Sequence, residues 1–213
     1  MIRAYDQNYL EKAQTALGSM LDYAVHDLHF DITAFFSLFL TSGIASLFGS
    51  GDVKTIAGRS GVELAWEVLE KSGLRFDRAI PGVRFDRSRE YWAGWALAYY
   101  QWSTAMTFRD IDRCVPIADV VALYHPYHEM DIRQFCDHMT ELIRKAQPET
   151  NLKRLRQIAG LSQGQLAKAS GVPKRTIQQY EQRQKNINKA QAEYIFMLAS
   201  ALNCAPTAII EYV

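Results

Sequence analysis

Apolar residues recur at helical spacing along most of the chain, and no segment shows the strict alternation of a half-buried strand. Asp31 is a good N-cap for one of these segments, and Ser60 with Glu63 makes a capping box at the start of another. The pattern therefore predicts an all-α protein. Its longer helices in the first two-thirds of the chain are predicted over residues 8–28, 32–42, 61–71, 88–102 and 131–146.

A polar tetrapeptide, Gln-Pro-Glu-Thr at 147–150, interrupts the helical pattern and is predicted to be a linker. It would separate an all-helical partner- or effector-binding domain, residues 1–146, from a smaller domain, residues 151–213. The charge changes at the same point. Residues 151–213 carry nine Lys and Arg against three Asp and Glu, whereas residues 1–150 carry 15 against 20. A basic excess confined to the C-terminal segment favours nucleic acid as its partner, because cations that neutralise phosphates release counterions.

Two short helical patterns in the C-terminal segment meet at Gly171, which can adopt a positive φ and turn the chain sharply. Ser162 is expected to cap the first, and Pro173 is expected at the first helical position of the second. The side chains predicted to face inward are Leu166, Ala167, Ser170, Val172, Ile177 and Tyr180. This arrangement is typical of a helix-turn-helix.

Lys174 and Arg175 fall in the first turn of the second helix, where the macrodipole disfavours each cation by roughly 0.3–1 kcal/mol. They are explained if a polyanion approaches the helix start, as DNA does when a recognition helix enters the major groove. Gln178, Gln179 and Gln182 continue a face suited to adenine and guanine edges. The alternative is a small helical bundle with a solvated polar face.

Residues 151–213 resemble the DNA-binding domain of the Cro/C1-type, or lambda- and 434-repressor-like, helix-turn-helix regulators (the XRE family). The matching elements are Leu161-Ser162-Gln163, Leu166-Ala167, Gly171-Val172, Ile177, Glu181 and Leu198-Ala199-Ser200-Ala201-Leu202. The resemblance implies a five-helix domain. Two departures are Arg183, where a glycine is common, and a long connection over 182–189. They predict a recognition helix that runs on past Glu181.

The same resemblance assigns roles to individual residues. Base readout would come from Lys174, Arg175, Thr176 and Gln179. Contacts to the DNA backbone would come from Gln163, Gln178, Arg183, Lys185 and Lys189. Arg156 and Glu181 would form a partly buried salt bridge between the first and third helices of the domain.

The function implied is that of a sequence-specific transcription regulator, with a repressor favoured, which binds a near-palindromic double-stranded operator as a homodimer. Three alternatives stay open for the rest of the chain. The N-terminal domain could bind a toxin, as in an antitoxin that autoregulates its operon, or a small-molecule effector. The protein could also be an interaction adaptor whose helix-turn-helix no longer binds DNA.

The helix predicted over 88–102 is the most aromatic part of the chain. Four of its aromatic residues recur every three or four positions, Tyr91, Trp95, Tyr99 and Trp102, and Trp92 is considered with them. Burial against other helices is one explanation. The other is a groove for a partner or a ligand, since such side chains dominate binding hot spots.

We expect no enzymatic activity, no cofactor and no metal, because the sequence has no recognisable nucleophile–base signature and no phosphate-binding loop. The only metal-like grouping, His125, His128, Cys136 and His138, lacks ligand spacing. An odd set of three cysteines predicts a reducing compartment. The uncharged stretch 32–51 is broken by polar residues and predicts a buried helical hairpin, with no membrane span. With no signal peptide recognisable, the expected location is the cytoplasm.

Overall fold

A computed structural model describes residues 3–146 and 149–211. All regular secondary structure in these residues is helical, which confirms the predicted all-α fold class. The chain divides into two compact units, residues 1–146 and residues 147–213.

The N-terminal unit contains ten α-helices among its described residues, preceded by a short 3-10 turn at Gln7–Tyr9. Asp31 caps α2, and Ser60 and Glu63 form the expected capping box on α5. The helices are α1 (Leu10–His26), α2 (Ile32–Thr41), α3 (Ile44–Gly49), α4 (Val53–Ile56), α5 (Gly61–Lys71), α6 (Arg89–Thr104), α7 (Phe108–Cys114), α8 (Ile117–Ala122), α9 (Tyr124–Tyr127) and α10 (Ile132–Ala146).

Helix α1 lies in the centre of this unit and packs mainly against α6 and α5. Glycines permit the close approach. A Cβ added at Gly94 would lie 2.6 Å from the Leu17 carbonyl oxygen and 2.9 Å from the Cα of Gly18. A Cβ at Gly61 would overlap the Met20 amide nitrogen. The backbones of α1, α5 and α6 are therefore in contact, and this contact sets the position of the aromatic helix α6.

The uncharged stretch 32–51 forms α2 and α3, and both helices contribute to the hydrophobic core. Phe35, Phe36, Phe39 and Phe48 are fully buried there. The ring of Phe39 contacts those of Phe48 and Phe108 at centroid distances of 6.4 Å and 5.4 Å. Among the described residues, no helix is both long enough and apolar enough to cross a membrane.

Residues 74–88 connect α5 to α6 as a loop without helix or strand. Hydrogen bonds attach the backbone of this loop to α1 and to Asp27, the residue that follows α1. The Tyr23 hydroxyl donates to the Ala79 carbonyl at 2.7 Å, and the Gly82 amide donates to an Asp27 oxygen at 2.9 Å. The Arg84 guanidinium also pairs with Asp27, at 2.9 Å.

The C-terminal unit contains five α-helices among its described residues and a 3-10 turn at Ile187–Lys189. Thr150, placed in the linker by the sequence, is instead the buried N-cap of the first helix, and its hydroxyl accepts from the Lys153 amide at 3.2 Å. Gln147 and Pro148 of that linker lie outside the described residues. The helices are α11 (Asn151–Ile158), α12 (Gln163–Ser170), α13 (Lys174–Glu181), α14 (Ala192–Ala201) and α15 (Pro206–Ile209).

Candidate nucleic-acid interface

The turn between α12 and α13 is formed by residues suited to it. Ser162 caps α12, and the Gln165 side chain returns to accept from the Ser162 amide at 2.7 Å, completing a capping box. Gly171 ends the helix at φ 73°, and a Cβ there would lie 2.9 Å from the Met197 methyl group. Val172 is fully buried in the corner. The positive φ therefore favours glycine at the turn, whereas the Met197 methyl group ends a flexible side chain that could move aside.

Helix α13 begins at Lys174, one residue later than the sequence predicted. Pro173 is its N-cap, and not its first helical residue. No side chain caps this helix start. Lys174 and Arg175 are both exposed, and within the described residues neither forms a salt bridge. The positive end of α13 thus carries two more positive charges and faces solvent.

The polar face of α13 continues from these cations. Thr176, Gln178 and Gln179 are half-exposed, while Ile177 and Tyr180 on the other side are buried. The predicted base-reading residues Lys174, Arg175, Thr176 and Gln179 therefore share one accessible surface, which we call the α13 face.

Two residues assigned to the DNA backbone, Gln163 and Gln178, are hydrogen-bonded to each other. The Gln178 side-chain amide donates to the Gln163 oxygen at 3.3 Å, and the Gln163 amide donates to Glu181 at 2.8 Å. These bonds link the start of α12 to the α13 face. The sequence did not reveal this link, because the glutamines are fifteen residues apart and have no distinctive spacing.

Arg156 and Glu181 form a bidentate salt bridge, with Nε–Oε1 at 2.6 Å and Nη2–Oε2 at 2.9 Å. Both residues are buried. The remaining guanidinium nitrogen Nη1 donates to the Leu161 carbonyl at 2.7 Å. Hydrogen bonding to Glu181 raises the pKa of Arg156 above its ordinary value. The pair joins α11 to the end of α13.

The recognition helix does not run on, and that prediction is wrong. Helix α13 ends at Glu181, and Arg183 adopts the left-handed conformation at φ 54°. Arginine therefore occupies a backbone conformation that usually favours glycine. Its side chain pairs with Glu211 at 3.3 Å, so part of its charge is already compensated within the unit. Lys185 and Lys189, the other two predicted phosphate contacts beyond the helix, are exposed.

Residues 152–209 match the family model described as Helix-turn-helix. The C-terminal unit is a Cro/C1-type helix-turn-helix domain. No family model matches the N-terminal unit. No curated protein and no solved structure matches the chain. The match to this domain supports a DNA-binding helix-turn-helix regulator.

The aromatic stripe of the N-terminal unit is divided between two environments. Tyr91, Trp92 and Trp95 line a cavity of about 320 Å³. Tyr99 and Trp102 do not line it. Trp102 is buried, and its indole nitrogen donates to the Tyr5 carbonyl at 2.9 Å, while its ring contacts that of Tyr99 at 5.6 Å.

The histidines near the cavity have partners other than metals. The His128 ring stacks on Tyr124 at 4.0 Å, and that of His138 stacks on Tyr127 at 5.2 Å. In the described part of the chain, no three His, Cys, Asp or Glu residues are grouped to hold a metal ion. Burial raises the pKa of Cys136 to about 12, which keeps this thiol protonated and unreactive at neutral pH.

Proposed function

We propose that this protein is a sequence-specific transcription regulator that inserts α13 into the major groove. The observation that carries the proposal is the start of α13, where no side-chain cap is present and two exposed cations stand in the first turn. Acceptors from outside the protein would satisfy the free amide groups there. DNA phosphates and guanine edges supply such acceptors together with negative charge.

The energetics of the isolated domain support an external partner for this surface. Each cation in the first turn destabilises a helix by roughly 0.3–1 kcal/mol, and Asp or Glu would stabilise it by a similar amount. The charges of Arg156 on α11 and Glu181 at the end of α13 compensate each other. Lys174 and Arg175 have no such partner among the described residues. A polyanion that approaches α13 would neutralise these two charges, and this interaction would contribute to the binding free energy.

We further propose that two copies bind a near-palindromic operator as a homodimer and repress the adjacent promoter. An isolated domain reads a short half-site, and dimers extend it to two half-sites about one helical turn apart. Phe196 on α14 is 61% exposed, and a second copy of the domain would remove it from water. Phe196→Glu should then weaken operator binding without unfolding the domain.

The N-terminal unit also exposes apolar side chains that suit a protein partner. Ile80, Val83 and Phe85 are 91%, 90% and 100% exposed on the 74–88 loop, whose backbone is held by α1. A toxin neutralised at this loop would make the protein an autoregulating antitoxin. Purification of the native complex tests this second proposal. A partner that binds at this loop should co-purify with the unmodified protein and should not co-purify with a Phe85→Asp variant.

Base readout is tested by selecting binding sites from random duplexes with the full-length protein. One consensus, arranged as an inverted repeat, is the expected result. Arg175→Ala and Gln179→Ala should each cost roughly 1–3 kcal/mol and relax the preference at one base position per half-site. Lys168→Ala, an exposed change on α12, is the matched control and should keep the consensus. Selection without enrichment, or an unchanged consensus in both α13 variants, would refute the proposed readout.

A further inference from the structure

The cavity in the N-terminal unit has aromatic walls drawn from two separate parts of the chain. Tyr91, Trp92 and Trp95 come from the first turns of α6, while Tyr124 and Tyr127 come from α9. Its volume, about 320 Å³, lies at the lower end of the range in which proteins bind small molecules. Five aromatic side chains around one space of this size suit a flat ring of comparable dimensions.

The walls are held in place by contacts outside the cavity. The Trp92 ring meets Tyr124 and Phe135 edge to face, at 5.7 Å and 5.3 Å between centroids. Phe135 is fully buried, so Trp92 rests on the core of the unit. Tyr127 is stacked on His138 at 5.2 Å. The site is thus largely formed before a ligand arrives, which reduces the entropy lost on binding.

Among the described residues that line the cavity, Arg87 supplies a permanent charge, which is positive. Its guanidinium lies 4.6 Å from the centre of the Tyr91 ring. Within the described residues, no Asp or Glu lines the cavity, and Arg87 forms no salt bridge. The planar guanidinium is suited to a carboxylate, which it can bind through two parallel hydrogen bonds.

The remaining polar residue of the cavity has a defined tautomer. His128 Nδ1 lies 2.8 Å from the Tyr124 carbonyl oxygen, which can only accept, so Nδ1 carries the hydrogen. Nε2 lies 3.4 Å from the exposed Glu129 carboxylate. The ring therefore keeps its stacked position against Tyr124 and completes the wall.

We propose that this cavity binds a small planar aromatic carboxylate, with its ring between the aromatic side chains and its carboxylate on Arg87. A quaternary ammonium ion would also find aromatic faces here, but it would be placed beside the Arg87 cation. The charge at the cavity therefore selects the anion. This site goes beyond the proposed regulatory function and does not depend on DNA binding.

The test measures binding of 1-naphthoate to the full-length protein by isothermal titration calorimetry. Two probes of similar shape, neutral 1-naphthalenemethanol and cationic 1-naphthylmethyl-trimethylammonium, report what the charge contributes. Naphthoate should bind at least about tenfold more tightly than either, as expected for a charge-assisted hydrogen bond. Arg87→Gln should remove this advantage and leave binding of the neutral probe unchanged.

Arg133→Gln is the matched control, because Arg133 is exposed, follows the lining residue Ile132 and does not line the cavity. It should leave naphthoate affinity within about twofold of the unmodified protein, since a charge outside the site is screened by salt. Trp95→Leu should weaken all three probes, and circular dichroism establishes that the variant is folded. Absence of naphthoate binding, a preference for the cationic probe, or equal losses in Arg87→Gln and Arg133→Gln would overturn the proposal.

Discussion

Replacing Glu181 by Gln should destabilise the C-terminal unit strongly, because it breaks a buried ion pair and leaves its other charge in place. Glu181 accepts from Arg156 Nε at 2.6 Å, from Arg156 Nη2 at 2.9 Å and from Gln163 at 2.8 Å. Its side chain is 2% exposed. The glutamine amide would direct N–H groups at a guanidinium that can only donate.

The expected magnitude follows from this burial. Removal of one partner from a buried pair costs about 3–5 kcal/mol, since the remaining charge stays desolvated without compensation. A unit of this size has a total stability of only about 3–10 kcal/mol. Glu181→Gln should therefore remove a large part of that stability.

The positions of the tryptophans allow the two units to be followed separately. Trp66, Trp92, Trp95 and Trp102 are the four tryptophans of the chain, and all lie in the N-terminal unit. Urea unfolding followed by tryptophan fluorescence reports that unit, whereas circular dichroism reports both. Glu181→Gln should shift a circular dichroism transition to lower urea and leave the fluorescence transition unchanged.

A double variant, Arg156→Met/Glu181→Leu, provides the control. It replaces both charges by apolar groups, and such replacements are often neutral or stabilising by about 1–4 kcal/mol. The double variant should therefore be more stable than Glu181→Gln. The reasoning is refuted if Glu181→Gln costs less than about 1 kcal/mol, a value typical of an exposed pair. It is equally refuted if the double variant is as unstable as the single one.

Three further predictions concern backbone conformation, helix packing and acid stability. Arg183→Gly should be more stable to urea than Arg183→Ala by about 1 kcal/mol, because only glycine relieves the left-handed strain; a continuous helix would reverse the order. Gly94→Ala should lower the fluorescence-detected midpoint of urea unfolding, because its Cβ would overlap the backbone of α1; an unchanged midpoint would contradict this contact. Burial raises the pKa of Glu90, but hydrogen bonds from His26, from its own backbone and from Arg89 lower this pKa by a larger amount. The net pKa of Glu90 is therefore below its ordinary value. The stability contributed by ionised Glu90 is present above the ordinary glutamate pKa of about 4.3 and is lost as pH falls through the depressed pKa. Glu90→Gln should therefore reduce the loss of stability at acid pH, measured as the fluorescence-detected midpoint of urea unfolding.

The helix-turn-helix could be predicted from sequence because its determinants are local. Ser162 caps its own helix, and Gly171 has a conformation that few other residues adopt. The end of α13 could not be predicted in the same way. Arginine is a good helix former, so Arg183 favoured continuation. Its actual conformation accompanies a contact with Glu211, which is 28 residues away.

The sequence pattern indicated only some of the residues that line the aromatic cavity. Helical periodicity grouped Tyr91 with Trp95, but it also included Trp102, which the fold buries elsewhere. Tyr124 and Tyr127 lie in a segment without a clear period, and tertiary packing alone brings them to α6. The loop over 74–88 is similar, since Asp22 on α1 and Asp27, the residue that follows α1, hold it in place.

The salt dependence of operator affinity measures the role of the α13 start. The double variant Lys174→Gln/Arg175→Gln is compared with Arg154→Gln/Lys168→Gln, which removes two exposed cations from α11 and α12. If the α13 start docks on DNA, the first variant should lose affinity at every salt concentration, and its slope against salt should fall by about two charges per bound copy. The control should keep the slope of the unmodified protein. Equal affinity and equal slope in both double variants would contradict the docking of α13 on DNA.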